Sequence, residues 1–449
     1  MGRRHLVKPF LTRNYPIIDY GKGVFLYDSE GHSYLDGSSG AVTANIGHGV
    51  DEIIEAMHEQ SKKVSFVYRS QFTNQPAEEL AKKLSGLSPG TLNWSFFVNS
   101  GTEAVETAMK VALQHWQEKK RPEKQLFLSR RLSYHGITVG ALSLSGFITR
   151  RERFEPLLEN YPLLSPPYCY RCPFHSSFPK CHIQCAEELE DIIERIGAKY
   201  IAAFVAEPII GAAGGAITPP DGYYQKIKKI CSRHEILFIA DEVMTGMGRT
   251  GKMFAIEHWG VTPDIMAIGK GLSGGYAPIA ATLVSDEVIQ TIEEGTKVIM
   301  SGHTFSANPQ SCATALAVIQ YLLKNKIVDA VTVKGEYLTK KLVPLVKRFP
   351  FLGDIRGKGL LIGVEFVENA RTKKPYSRNW NVSQIVIDHA LGSQLLLYPA
   401  ASGPNGLDQN GILIAPPLTI TNQEIDVLVE RFAKSLILTE QSLALKERS

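Results

Sequence analysis

Between about residues 94 and 284 the chain alternates short aliphatic runs with stretches whose apolar residues recur every three or four positions. Phe96-Phe-Val, Leu126-Phe-Leu, Tyr200-Ile-Ala-Ala-Phe-Val-Ala, Ile236-Leu-Phe-Ile-Ala and Ile265-Met-Ala-Ile are each bounded by polar residues. Such runs predict strands buried on both faces. Residues 104–116 carry apolar side chains at 105, 108, 109, 112 and 116, and 221–233 is amphipathic, so both predict helices. The alternation predicts an α/β fold: a mostly parallel sheet with helices on both faces.

Outside this region the pattern changes. Asp-Ser-Glu-Gly between Val24-Phe-Leu-Tyr-Asp28 and His32-Ser-Tyr-Leu-Asp36 predicts a hairpin. Residues 53–64, 77–87 and 309–323 have helical spacing. From about 326 onward the order is helix, strand 360–366, helix from about 382, strands 395–398 and 412–414, and a last helix opened by the capping box Thr421-Asn-Gln-Glu424. This predicts a smaller α+β domain drawn from both termini, with 1–55 and 326–449 around a large domain of 56–325.

Composition narrows the function by exclusion. The chain has 449 residues, 44% hydrophobic and 21% charged, and its 49 basic side chains nearly balance 45 acidic ones. With no long basic block, nothing points to nucleic acid or a membrane surface. No apolar span of membrane length follows Met-Gly-Arg-Arg-His-Leu6, so a cytoplasmic location is expected. Cys169, Cys172, Cys181 and Cys185 have zinc-like spacing, but in Pro-rich surroundings the preferred expectation is a metal-free surface excursion. Cys231 and Cys312 are expected to be small core residues.

The candidate chemistry lies where strands stop on polar residues. Asp241 and Lys270 end two such runs, where open α/β sheets place their ligands. An acid and an amine in one crevice suit pyridoxal phosphate, with the lysine holding the aldehyde and the acid pairing with the ring nitrogen; a plain buried ion pair is the alternative. Asn99-Ser100-Gly101-Thr102 opens a helix whose N–H groups could seat a phosphate, or Ser100 is simply its cap. Tyr134-His135-Gly136 could stack on a flat ring, and Glu207 ends another strand. No Gly-x-Gly-x-x-Gly opens a helix after a strand, and Gly269-Lys270 lacks the rest of a P-loop.

In combination, Asn-Ser-Gly-Thr-Glu-Ala, Tyr-His-Gly, Ala-Glu-Pro, Asp-Glu-Val, Gly-Arg-Thr-Gly, Ile-Gly-Lys-Gly-Leu, Thr-Phe-Ser-Ala-Asn-Pro and Ala-Pro-Pro-Leu resemble the class III pyridoxal phosphate aminotransferases of fold type I, from about residue 20 to 435. The resemblance implies that Lys270 holds the cofactor aldehyde and carries the proton, that Asp241 holds the pyridine nitrogen, and that Val243 and Tyr134 flank the ring. Ser100, Gly101 and Thr102 would bind the phosphate together with Thr304 from the second chain of a homodimer. His135 and Glu207 would belong to the cofactor shell. It further implies ping-pong transfer from a primary amine or ω-amino acid, such as taurine, β-alanine or a diamine, to a small 2-oxo acid, pyruvate foremost. The diaminopelargonate-forming aminotransferase of the same class is the second reading, and an aminomutase or a decarboxylase of the same fold the third.

Two departures bear on substrate. Ornithine- and GABA-type relatives pair a Glu in the glycine-rich loop with an Arg before the Pro-Pro; here Ala212 and Leu413 stand in those places. Val42 replaces a Trp found in several amine-type relatives, which widens the expected pocket wall. The cations proposed for an acceptor carboxylate are Arg69, Arg130 and Arg131.

Overall fold

The computed structural model describes residues 5–447 apart from 405 and 407. Its centre is a seven-stranded sheet in the order Trp94–Val98, Ala280–Val284, Ile265–Ile268, Leu237–Asp241, Ile201–Ala206, Leu126–Arg130, Leu163–Leu164. The last five run parallel. Ala280–Val284 runs against both of its neighbours. The segment 269–279 is too short for the dozen or more residues a parallel crossover takes, so the chain turns back instead.

Both faces of the sheet are covered, which explains the unbroken aliphatic runs. The helix Gly101–Glu118 lays Val105, Ala108 and Ala112 on Val205, Ile239 and Ala267. On the other face Leu80, Leu189, Ile227 and Ile319, from four separate helices, pack on Phe204, Phe238 and Met266. Truncating one of these fully buried rings, as in Phe238→Ala, costs about 3–5 kcal/mol.

A second core gathers Val24, Leu35 and Ile53 with side chains of the helices Ile327–Arg348, Val382–Gly392 and Asn422–Glu447. The expected hairpin forms from Phe25–Asp28 and Ser33–Asp36, and Leu395–Leu396 pairs in parallel with its second strand. The two ends of the chain are thereby knitted together. A four-stranded antiparallel sheet completes this part: Leu352–Lys358, Leu361–Phe366, Asp408–Ile414 and Tyr398–Ser402. The capping box is present, Thr421 N–H donating to Glu424 at 2.7 Å and Glu424 N–H to the Thr421 hydroxyl at 3.2 Å. Among the described residues no helix is long and apolar enough to cross a membrane.

Candidate active site

Strand register decides which side chains meet. Asp241 ends its strand level with Ala267 of the parallel neighbour, so Lys270, just beyond, leaves the same edge of the sheet. Ala206 is level with Ala240, which sets Glu207 beside Asp241. The next strand, Leu126–Arg130, leads to Tyr134 and His135. Trp94–Val98 points the same way as Ile265–Ile268, because Ala280–Val284 opposes both, and so Gly101 and Thr102 arrive at this edge too. The crevice at the carboxyl ends of the strands is where such sheets bind ligands.

Gly101, Thr102, Tyr134, His135, Glu207, Asp241, Val243 and Lys270 line one cavity of about 230 Å³, together with Gly136, Ile137, Ala212 and Met244. Ser100 and Thr304 are not among the lining residues. Ser100 caps the helix, its hydroxyl accepting from Glu103 N–H at 3.4 Å. Thr304 is exposed. Val42 is buried in the main core instead of lining the cavity.

Lys270 has a φ of 45°, a left-handed conformation that strains any residue but glycine by roughly 1–3 kcal/mol. A one-turn helix holds it there, with Ser273 N–H donating to the Lys270 carbonyl at 3.3 Å. Burial pushes its amine down to about 8, against the opposing pull of Asp241 and Glu207. An amine that is partly neutral near pH 7 can both attack a carbonyl and carry a proton.

The Asp241 carboxylate is fixed at both oxygens. Oδ2 lies 2.8 Å from His135 Nδ1, and Oδ1 accepts from Val243 N–H at 3.1 Å. His135 Nε2 is buried without a protein partner. Glu207 accepts from Tyr134 N–H at 3.0 Å and Gly211 N–H at 2.9 Å, so one carboxylate ties two cavity loops to the sheet. Burial raises its pKa. Thr102 holds the next loop, its hydroxyl 2.6 Å from that of Thr138 and accepting from Ile137 N–H at 3.2 Å.

None of the three arginines proposed from the sequence reaches the cavity lining. Arg130 is wholly buried and donates to the Glu207 carbonyl at 2.5 Å and to the Tyr224 hydroxyl at 3.1 Å. Arg131 holds the Ser165 hydroxyl, and Arg69 the Ser301 carbonyl. Arg150, not singled out from the sequence, is exposed and also outside the lining, but it lies near Tyr134. Its guanidinium lies 5.9 Å from the Phe147 ring, whose edge meets Tyr134 with centroids 6.2 Å apart. Burial raises the Tyr134 pKa, and Arg150 is the largest opposing influence. Ile137 and Met244 were also missed; they carry no signal beyond being apolar residues next to motifs.

The model of the family described as aminotransferase class-III matches residues 11–436. The uncharacterized aminotransferase YodT of Bacillus subtilis (strain 168) is 52% identical over 98% of this chain and 99% of its own length. The adenosylmethionine-8-amino-7-oxononanoate aminotransferase of Geobacter sulfurreducens is 38% identical over 97% of this chain and 96% of its own. Among solved structures, a thermostable (S)-enantioselective omega-transaminase from Thermomicrobium roseum superimposes with a TM-score of 0.91 at 37% identity, covering 97% of this chain and 96% of that one.

The chain belongs to the class III aminotransferases. Enzymes of this family use pyridoxal 5'-phosphate, and the residues present fit it. A Cβ on Gly101 would lie 2.6 Å from Val243 Cγ1, so glycine keeps the helix start open to a close approach. The first-turn N–H groups of that helix have no intrahelical partner and favour an anion. Tyr134 and Val243 offer an aromatic and an aliphatic wall, and Asp241 offers an anchored carboxylate.

Proposed function

We propose that this aminotransferase moves an amino group from a primary amine or ω-amino acid to a small 2-oxo acid such as pyruvate. The observation that carries the reading is the cavity lining: among the described residues it holds no arginine, while Ile137, Ala212 and Met244 give it apolar surface. A carboxylate on the reacting carbon finds no fixed cation in the lining and is costly to desolvate unless a cation from outside the lining, Arg150 in this reading, meets it. A donor with an uncharged substituent meets no such cost.

When bound, the cofactor supplies an aldehyde and a ring that takes up the electrons left on the donor carbon. In this reading Lys270 holds the aldehyde, and its freed amine shuttles the proton at the donor carbon. Asp241, oriented by His135, keeps the ring nitrogen protonated; Val243 and Tyr134 hold the ring between them; Gly101 and Thr102, with Ser100 as the cap, seat the phosphate. Arg150 pairs with the acceptor carboxylate beside Tyr134. Thr304 serves the neighbouring chain of a homodimer. Supporting that assembly, Phe66, Tyr68, Phe72, Met300 and Phe305 lie exposed on the paired segments 64–74 and 298–308, a patch of the kind buried at interfaces.

The test is a panel of donors, from benzylic and aliphatic amines to taurine, β-alanine and diamines, offered with pyruvate or 2-oxoglutarate. Turnover confined to α-amino acids with 2-oxoglutarate would overturn the reading. The Geobacter relative favours a second one, amino transfer from adenosylmethionine to 8-amino-7-oxononanoate. Diamine product from that pair, with none from simple amines, selects it.

A further inference from the structure

The four clustered cysteines play no part in this chemistry. We propose that Cys169, Cys172, Cys181 and Cys185 bind one thiophilic divalent ion, zinc by its ligand preference, and that this ion staples together the two ends of the excursion between residues 167 and 186.

Local structure brings the thiols together in two pairs. Cys169–Arg171 is a one-turn 3₁₀ helix with Cys172 directly after it, and residues three apart on such a turn share a face. Gln184 N–H donates to the Cys181 carbonyl at 3.1 Å, and the helix Gln184–Ile196 then carries Cys185 in its first turn. Spacings of two and three residues within pairs are those of thiolate metal sites. The two pairs face each other across one void of about 10 Å³ that all four cysteines help to line. That is roughly the space of one water-sized sphere.

In the present arrangement no three of the sulfurs lie within 4.8 Å of one another. A tetrahedral ion with Zn–S bonds of about 2.3 Å requires sulfurs ~3.8 Å apart. Rotation about χ1 moves a sulfur inward without moving backbone, and the shared void gives it room. Each thiol releases a proton to solvent as its sulfur binds, and no electrons change hands. The helix N-terminus at Cys185 stabilises the resulting thiolate. Cys169 is exposed and Cys172 and Cys181 partly so, which leaves a path for the ion. Cys231 and Cys312 are buried apart in the main core and serve as internal controls.

The staple bears on the active site. Beside Cys169 and Cys172, Tyr168 and Arg171 bind the buried Glu365, Arg171 Nε at 2.6 Å. Glu365 also takes Arg356 at 2.8 Å, and Arg356 donates to the carbonyls of Gly214 and Gly215 at 2.7 Å each. These glycines belong to the loop whose Gly211 N–H holds Glu207 and whose Ala212 lines the cavity.

The experiment measures metal and thiols on the holoenzyme purified without chelators from zinc-supplied cells. About one zinc per chain is expected, with the four thiols masked from Ellman's reagent until a mercurial displaces the ion. C172S and C185S should lose the zinc while C231S keeps it. A wild-type content below roughly a tenth of an equivalent overturns the proposal, given how tightly structural zinc binds. So does full retention in both C172S and C185S, which would place the ion elsewhere. Should those variants fail to fold, the wild type decides alone: zinc release in step with mercurial titration of the excursion thiols supports the site, and release without thiol modification refutes it.

Discussion

At neutral pH an ordinary lysine is an ammonium ion and does not attack a carbonyl. Burial takes Lys270 from the ordinary 10.5 down to about 8. The drop is worth about 3 kcal/mol, and at pH 7 it raises the neutral fraction from about 0.03% to about 10%, a gain of about 300-fold. Stripping the cofactor and mixing it back in a stopped-flow instrument between pH 6 and 10 reads this directly, as visible absorbance grows when the lysine captures the aldehyde. The rate should climb about tenfold per pH unit and level off near pH 8. Asp241 and Glu207 both hold the pKa up. Removing either charge, in Asp241→Asn or Glu207→Gln, must therefore move the break to lower pH. A rise that continues unbroken through pH 9.5, or a break that moves upward in Asp241→Asn, refutes the electrostatic account of the site.

Lys270→Ala should leave a folded protein without the visible band of lysine-bound cofactor; the band at full intensity would remove Lys270 from its role. Arg150→Gln should raise KM for pyruvate roughly tenfold, the loss of one partly exposed charge-assisted contact, and leave KM for an aldehyde acceptor unchanged. Equal effects on both acceptors would show that Arg150 recognises no carboxylate. Gly101→Ala sets a Cβ 2.6 Å from Val243 Cγ1; overpacking of about 1–3 kcal/mol should weaken cofactor affinity tenfold or more in an absorbance titration, and unchanged affinity would clear Gly101 of the phosphate seat.

Much of the large sheet was legible because its strands are covered on both faces and therefore read as plain aliphatic runs ending on a polar residue. The endings gave Asp241, Glu207 and Lys270, and the register brings them together. Direction was not legible for Ala280–Val284, since a strand buried on both sides looks the same either way round. Leu352–Lys358 was missed because Leu-Gly-Asp-Ile-Arg-Gly-Lys lacks a β pattern, and only pairing with Leu361–Phe366 makes it a strand. The expected strand 395–398 divides at Leu397, its halves serving two different sheets. Arg130 and Arg131 are adjacent in sequence, yet one is wholly buried and the other exposed. The strand Leu126–Arg130 ends between them, so Arg131 lies just past the sheet, and composition cannot show that. Arg150 carries no local mark, because its place beside Tyr134 depends on how Phe147 packs.

Three arginines outside the cavity lining fix backbone around the catalytic edge. Arg249 is buried and donates to the carbonyls of Leu360 and Pro416 and to the Ser39 hydroxyl, at 3.1, 2.6 and 3.2 Å. Burial pushes it down to about 9, opposed by Asp36. Hydrophobic residues of similar volume would generally serve stability as well or better than a buried ion held this way. What they could not do is reach acceptors at once in the N-terminal segment, the strand turn at 360 and the Pro-Pro loop. Arg130 does the same for the Glu207 carbonyl, and Arg356 for Gly214 and Gly215. The three guanidiniums act as struts, each holding backbone carbonyls at a cost in desolvation. The strained Lys270 backbone and the doubly bonded Glu207 carboxylate depend on a frame of that rigidity.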